Sequence, residues 1–169
     1  MPGPYELYLV RHGLAEDRGA KWPDDGKRPL SADGMSRMKK SARGLDRVDV
    51  KFDVILSSPL VRARQTAEIL SAEMEGHPAI VNVDSLAPGA TFASLMTDLE
   101  KHARRTRIAL VGHEPAIGEL AARLLGSRHP IEFKKGAVAR IDIDQIPPNG
   151  PGDLRWMLPP KFMRSFKKS

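Results

Sequence analysis

The sequence predicts an α/β fold: a three-layer α/β/α sandwich around a mostly parallel central sheet. Short apolar, β-prone runs alternate along the chain with segments of helical periodicity, and polar residues or glycine and proline follow each run. The 169 residues, of which 41% are hydrophobic and 28% charged, suffice for one buried core. No internal repeat or linker is visible, so a single domain over residues 1–169 is predicted.

The first half of the chain opens with a predicted strand over residues 5–10, which ends at Arg11-His12-Gly13. A polar loop over residues 14–29 follows. Ser31 is a predicted N-cap, because helical spacing begins after it with the apolar positions Met35, Met38, Ala42 and Leu45. A second strand over residues 52–56 ends at Ser57-Ser58-Pro59, and a helix over residues 60–72 is predicted next, with Pro59 at its start.

The second half repeats this alternation. Its predicted elements, in chain order, are a weak strand over residues 80–83, a helix over 92–102, a strand over 107–111, a helix over 116–125 and late strands over 137–143 and 154–158. The strand over 107–111 ends at Gly112-His113-Glu114-Pro115, and Gly126 is the predicted C-cap of the helix that follows. The basic tail over residues 161–168 is interpreted as a solvated, partly frayed terminus.

Composition limits the possible functions. The chain has no cysteine, which excludes disulfides, thiol nucleophiles and thiolate metal sites. No apolar run approaches the length of a membrane span and no signal peptide is expected, so a cytoplasmic location is predicted. The net charge of +6 favours anionic partners, but the 5% of aromatic residues are not interleaved with basic runs as in single-strand nucleic-acid binders. Nucleic acid is therefore not the expected partner.

Three predicted strand ends carry side chains suited to binding phosphate. Arg11 and His12 follow the first strand, Arg62 comes just after the second, and His113 follows the strand over residues 107–111. In a parallel sheet these ends meet at one edge, where ligands bind. Arginine matches phosphate oxygens two at a time, and a neutral imidazole is a competent nucleophile on phosphorus. The two histidines lack zinc-site spacing, so no metal and no other cofactor is expected.

The same residues resemble a known family. Leu9-Val10-Arg11-His12-Gly13 resembles the RHG signature of the histidine phosphatase superfamily, whose fold is phosphoglycerate-mutase-like. Residues 57–67, SSPLVRARQTA, resemble its second block, and Val111-Gly112-His113-Glu114-Pro115 resembles its third. The resemblance implies that His12 becomes phosphorylated and that Arg11, Arg62 and His113 form the phosphate pocket.

A fourth stretch resembles one short bacterial branch, the SixA-like phosphohistidine phosphatases. Residues 27–34, KRPLSADG, match its RPLTxxG block, which makes Arg28 a further candidate for substrate binding. The chain lacks the lid and the recognisable acid of the larger family members. Glu16, Asp24 and Asp25 are conceivable acids in the first loop, but they are interpreted as solvated carboxylates.

The sequence therefore predicts a metal-independent phosphatase that acts through a phosphohistidine intermediate. Without a dedicated general acid, it suits phosphohistidine in a protein better than simple esters, because imidazole is a better leaving group than an alkoxide. A phosphatase for small phosphate esters or nucleotides is the alternative. A non-catalytic module that binds phosphoprotein or nucleic acid is a more remote one. The sequence does not determine the oligomeric state.

Overall fold

A computed structural model describes residues 4–167, and the strands in this part of the chain form one six-stranded sheet. Residues 1–3 and 168–169 of the predicted domain, including the last residue of the predicted basic tail, lie outside the described part. The strands are β1 Tyr5–Arg11, β2 Val54–Ser57, β3 Ala79–Asn82, β4 Arg107–Gly112, β5 Val138–Ile143 and β6 Asp153–Leu158. They lie side by side in the order β3-β2-β4-β1-β5-β6.

The four strands β1 to β4 are parallel, whereas β5 and β6 pair antiparallel at one side of the sheet. The prediction of a mostly parallel sheet is confirmed. β5 runs opposite to its neighbour β1, and because residues 144–152 are too few for a crossover connection, β6 pairs antiparallel with β5.

The helices cover both faces of the sheet, as predicted. They are α1 Ala32–Arg47, α2 Val61–Glu73, α3 Phe92–Glu100, α4 Ala116–Leu125 and α5 Pro160–Ser165. Successive side chains of β1 lie on opposite faces of the sheet and belong to two different hydrophobic cores. Leu7 and Leu9 pack with α3 and α4 on one face. Tyr8 and Val10 pack with α1, α2 and α5 on the other face. No described helix has the length and apolar character needed to cross a membrane.

Two predicted helix caps are confirmed, whereas α2 begins at Val61 rather than at Leu60 and α3 ends at Glu100 rather than at residue 102. The Ser31 hydroxyl accepts a hydrogen bond from the Gly34 N–H at 2.9 Å and so caps α1. Gly126 ends α4 in the left-handed conformation with φ 68°, which glycine adopts without strain. The interpretation of the tail as a frayed terminus is wrong for residues 161–165, which belong to α5 and bury Met163 completely against α1 and the sheet.

The parallel register brings the predicted strand ends together. Arg11 at the end of β1 lies opposite Gly112 of β4, and Ser57 at the end of β2 lies opposite Val111. The residues that follow these strands therefore emerge side by side at one edge of the sheet.

Candidate active site

An open cleft of about 550 Å³ lies at this edge, and all five predicted site residues line it. They are Arg11, His12, Arg28, Arg62 and His113. The imidazole rings of His12 and His113 lie 5.1 Å apart, centre to centre. The strand and helix ends thus bring together residues that are up to 102 positions apart in sequence, His113 and Arg11 being the extremes.

His12 is held in the form that a nucleophile needs. Its Nδ1 lies 2.7 Å from the main-chain carbonyl of Gly13, and because a carbonyl only accepts, Nδ1 carries the proton. In the neutral ring this leaves Nε2 with a free lone pair. Burial, together with the nearby cationic groups, lowers the pKa of His12 from 6.5 to about 3, so the ring is neutral near pH 7.

His113 is the second buried histidine, and Ser58 holds its ring. His113 Nε2 lies 2.7 Å from the Ser58 hydroxyl, which also accepts the N–H of Leu60 at 3.3 Å. We assign the hydroxyl as donor to Nε2, which leaves the proton of the neutral ring on Nδ1. Burial lowers the pKa of His113 to about 4, and the positive charge of Arg62 adds to this effect.

Arg62 and Arg28 are joined by Asp25, a residue of the first loop. Arg62 donates Nη1 to the main-chain oxygen of Asp25 at 2.7 Å and Nη2 to its carboxylate at 3.1 Å. Arg28 donates Nε to the other carboxylate oxygen at 2.8 Å and Nη1 to the carbonyl of Glu16 at 2.8 Å. Asp25 is therefore not merely a solvated loop carboxylate, although its side chain is 48% exposed: it positions both arginines.

Three buried nitrogen atoms of the site have no hydrogen-bond partner. Among the described residues, five buried side-chain nitrogen or oxygen atoms are unpartnered, and three of them are Arg11 Nε, Arg62 Nε and His113 Nδ1. A buried donor without a partner is costly in free energy. An anion bound in the cleft is the kind of ligand that such donors accept.

The motif residues around the candidates fasten the loops that carry them. The Gly13 N–H donates to the Thr66 hydroxyl at 3.1 Å, and the Leu30 N–H donates to the Gln65 side chain at 2.8 Å. Gly34 lets the Leu14 carbonyl approach α1, since an added Cβ would overlap that oxygen. Both ends of the first loop are thereby tied to α1 and α2.

No carboxylate is poised as an obvious proton donor. The Arg28 hydrogen bond lowers the pKa of Asp25, which is therefore ionised near pH 7. Glu114 lines the cleft, but its two carboxylate oxygens accept main-chain N–H groups of Gly118 at 2.7 Å and of Phe133 at 3.4 Å. Glu16 and Asp17 also line the cleft. No group of three or more potential metal ligands occurs within residues 4–167.

Sequence reasoning missed the positioning roles of Asp25 and Ser58. Ser58 stands in the SSP motif, next to the strand end, and its position was the available signal. Asp25 had no comparable signal, because only the folded loop brings it to Arg62, which is 37 positions away in the sequence.

The chain is similar to several known proteins. A family model described as the histidine phosphatase superfamily (branch 1) matches residues 7–86. An uncharacterised protein of Picosynechococcus is 37% identical over 165 residues, covering 94% of this chain and 98% of that protein. The phosphohistidine phosphatase SixA of Escherichia coli is 24% identical, covering 96% of this chain and 98% of that protein.

Solved structures share the fold. The protein histidine phosphatase SixA in complex with tungstate superposes with a TM-score of 0.82 at 24% identity, over 94% of this chain and 99% of that one. A SixA protein from Agrobacterium tumefaciens gives a TM-score of 0.77 at 23% identity, over 93% and 99%.

Proposed function

The chain belongs to the histidine phosphatase superfamily, in its SixA-like branch, and is a phosphatase; from this premise we propose that it hydrolyses phosphohistidine in proteins through a phosphorylated His12. This assignment argues against the remote alternative, a non-catalytic module that binds phosphoprotein or nucleic acid. The observation that carries the proposal is the set of unpartnered donors, Arg11 Nε, Arg62 Nε and His113 Nδ1, around a neutral nucleophile. We also propose that residues 1–169 act as a single domain, because one sheet runs through the described part of the chain. The cytoplasmic location stays a prediction.

The first step is an in-line displacement on phosphorus. The Nε2 lone pair of His12 forms the new phosphorus–nitrogen bond while the bond to the substrate imidazole breaks. When the departing ring already carries a proton on its other nitrogen, it leaves as neutral imidazole and needs no positioned acid. The arginines and the His113 N–H stabilise the charge on the equatorial phosphoryl oxygens.

The second step returns the enzyme to its starting state. Water attacks the phosphorus, the bond to Nε2 breaks, and inorganic phosphate and a proton are released. His12 keeps its orientation throughout, because its Nδ1–H remains bonded to the Gly13 carbonyl.

A second candidate function is the hydrolysis of small phosphate esters or nucleotides. It is favoured by one observation: Glu16 and Asp17 line the cleft, which therefore contains carboxyl groups, a type of side chain that can serve as general acid toward an alkoxide. The ionised Asp25, fixed between two arginines, does not serve that purpose.

A substrate panel distinguishes the two functions. We expect kcat/KM for a phosphohistidine peptide to exceed that for sugar and nucleotide phosphates by about 10² or more, since only the imidazole of the peptide leaves without a general acid. A sugar or nucleotide phosphate hydrolysed faster than the peptide contradicts the proposed substrate.

His113→Ala and Arg62→Ala should each lower kcat/KM for the phosphohistidine peptide by about 10² or more, as the loss of a preorganised donor does.

Trapping the intermediate completes this test. Labelled substrate followed by a denaturing alkaline quench should leave phosphate on His12, and His12→Ala should carry none. An alkaline quench is required because phosphohistidine is labile in acid. Label recovered on Ser57, Ser58 or an aspartate would refute the mechanism whatever the substrate.

A further inference from the structure

A second cavity, the α1–α5 groove, adjoins the cleft. It measures about 240 Å³ and lies between α1, α5 and the loop before β5. Gly13 and Leu14, which directly follow His12, form part of its wall. Lys135 lines both the groove and the cleft, so the two adjoin at this side chain.

The groove carries an excess of positive charge. Its charged lining residues are all basic: Arg37, Lys134, Lys135, Lys161 and Arg164. Arg37 pairs with Asp33 at 2.8 Å, but within residues 4–167 the other four have no acidic partner within 4.0 Å. Four uncompensated cations around one depression repel each other and favour a ligand with several negative charges.

Two further features fit a peptide rather than another polyanion. The Ser41 hydroxyl belongs to the groove lining, is buried and has no hydrogen-bond partner among the described residues, so it is free to bond a peptide main chain. Phe162 is 56% exposed at the groove and offers an apolar contact for a side chain. Single-stranded nucleic acid, in contrast, binds on successive aromatic platforms, and among the described residues Phe162 is the one aromatic side chain that lines the groove.

Close contacts between α5 and α1 fix the walls of the groove. α5 is seated on α1 where Gly44 meets the Met163 carbonyl, and Arg47 Nη1 donates to the Phe166 carbonyl at 2.8 Å. A preformed surface loses little conformational entropy on binding.

We propose that the α1–α5 groove binds an acidic segment of the phosphorylated protein, next to the residue whose phosphoryl group enters the cleft. This inference rests on the proposed function. It specifies in addition that the residues flanking the phosphohistidine of the substrate protein are acidic. The groove then selects the protein while the cleft performs the chemistry.

The test compares two fluorescein-labelled peptides that are identical except that the flanking positions are Glu in one and Gln in the other. Unphosphorylated forms report binding by fluorescence anisotropy, and phosphohistidine forms report kcat/KM. We expect the Glu peptide to bind at least tenfold tighter, with a preference that weakens as salt is added. The same preference should appear in kcat/KM.

Charge reversal locates the binding surface. Lys134→Glu with Lys161→Glu should abolish the preference for the Glu peptide, because both side chains line the groove and neither lines the cleft. Lys39→Glu with Lys40→Glu is the matched control: it makes the same charge change on exposed positions of α1 outside the groove, and should keep the preference.

The outcomes separate the two proposals. Equal binding of the Glu and Gln peptides would contradict the proposal that the groove binds an acidic segment. An equal loss of preference in both double variants would contradict it too. The proposal would also be contradicted if a labelled single-stranded oligonucleotide bound tighter than the Glu peptide and this binding were lost in the Lys134/Lys161 double variant. Groove-dependent binding of the Glu peptide without turnover of either phosphohistidine peptide supports the groove and contradicts the proposed function.

Discussion

The two histidines of the site owe their charge state to burial. His12 and His113 are 7% and 4% exposed, and the cations Arg11 and Arg62 lie nearby. Both influences disfavour the imidazolium form, so both rings stay neutral under conditions in which an exposed histidine would be partly protonated. A neutral His12 keeps its lone pair, and a neutral His113 with its proton on Nδ1 still provides one N–H donor.

These lowered pKa values predict how stability depends on pH. In the unfolded chain both histidines take up protons near pH 6.5, whereas in the folded protein they do so only at about 3 and 4. The unfolded state therefore binds more protons between these values, and the free energy of unfolding should fall as the pH is lowered from 7 to 4.5. Urea denaturation across this range measures the slope.

A double variant provides the control. His12→Asn with His113→Asn removes both titrating groups, so the loss of stability over the same pH range should be shallower than in the wild type. Identical slopes for the two proteins would show that the buried histidines are not neutral in the folded state.

At the scale of the elements, α5 shows how packing forms a helix that local signals do not indicate. The segment is six residues long and basic, too short for helical periodicity to be visible. Contacts with α1 stabilise it. Its Met163 side chain is buried against α1, and Gly44 of α1, which has no side chain, leaves room for the Met163 carbonyl.

This contact makes Gly44 a sensitive position. Gly44→Ala should destabilise the protein by about 1–3 kcal/mol, because the added Cβ would overlap the Met163 carbonyl and α5 would have to shift. Urea denaturation measures the effect. Gly150→Ala is the control, since nothing lies within 4 Å of a Cβ at that position. Equal stability of the two variants would mean that α5 does not depend on this contact.

At the scale of the whole molecule, the sheet gathers positive charge at one edge. Arg11, Arg28 and Arg62 reach the same cleft from three different segments, and among the described residues Asp25 is the one carboxylate hydrogen-bonded to any of them. The guanidinium groups of these arginines attract a tetrahedral oxyanion.

This charge distribution predicts how EDTA and vanadate affect the activity. Activity should survive excess EDTA, because the arginines supply the positive charge that a metal supplies in other phosphatases. Vanadate should inhibit strongly, since it occupies the same donors and adopts the five-coordinate geometry of the transition state. Activity lost in EDTA and restored by a divalent cation would contradict this account.

The sequence by itself determined the alternation of elements, the caps at Ser31 and Gly126, and the four strand-end residues Arg11, His12, Arg62 and His113. These features rest on local patterns: hydrophobic period, capping chemistry and polar residues that interrupt apolar strands. Because the carboxyl ends of parallel strands meet at one edge, the convergence of the four residues could also be predicted.

Only the tertiary structure decided the burial of the two histidines, the bridge that Asp25 makes between Arg28 and Arg62, and the helical state of residues 160–165. Each depends on a contact between segments far apart in the chain, such as Ser58 with His113 or Gly44 with Met163. A linear pattern records which groups are available but not which of them meet. Hydrogen-bond direction, burial and close packing are therefore properties of the fold rather than of any local stretch of sequence.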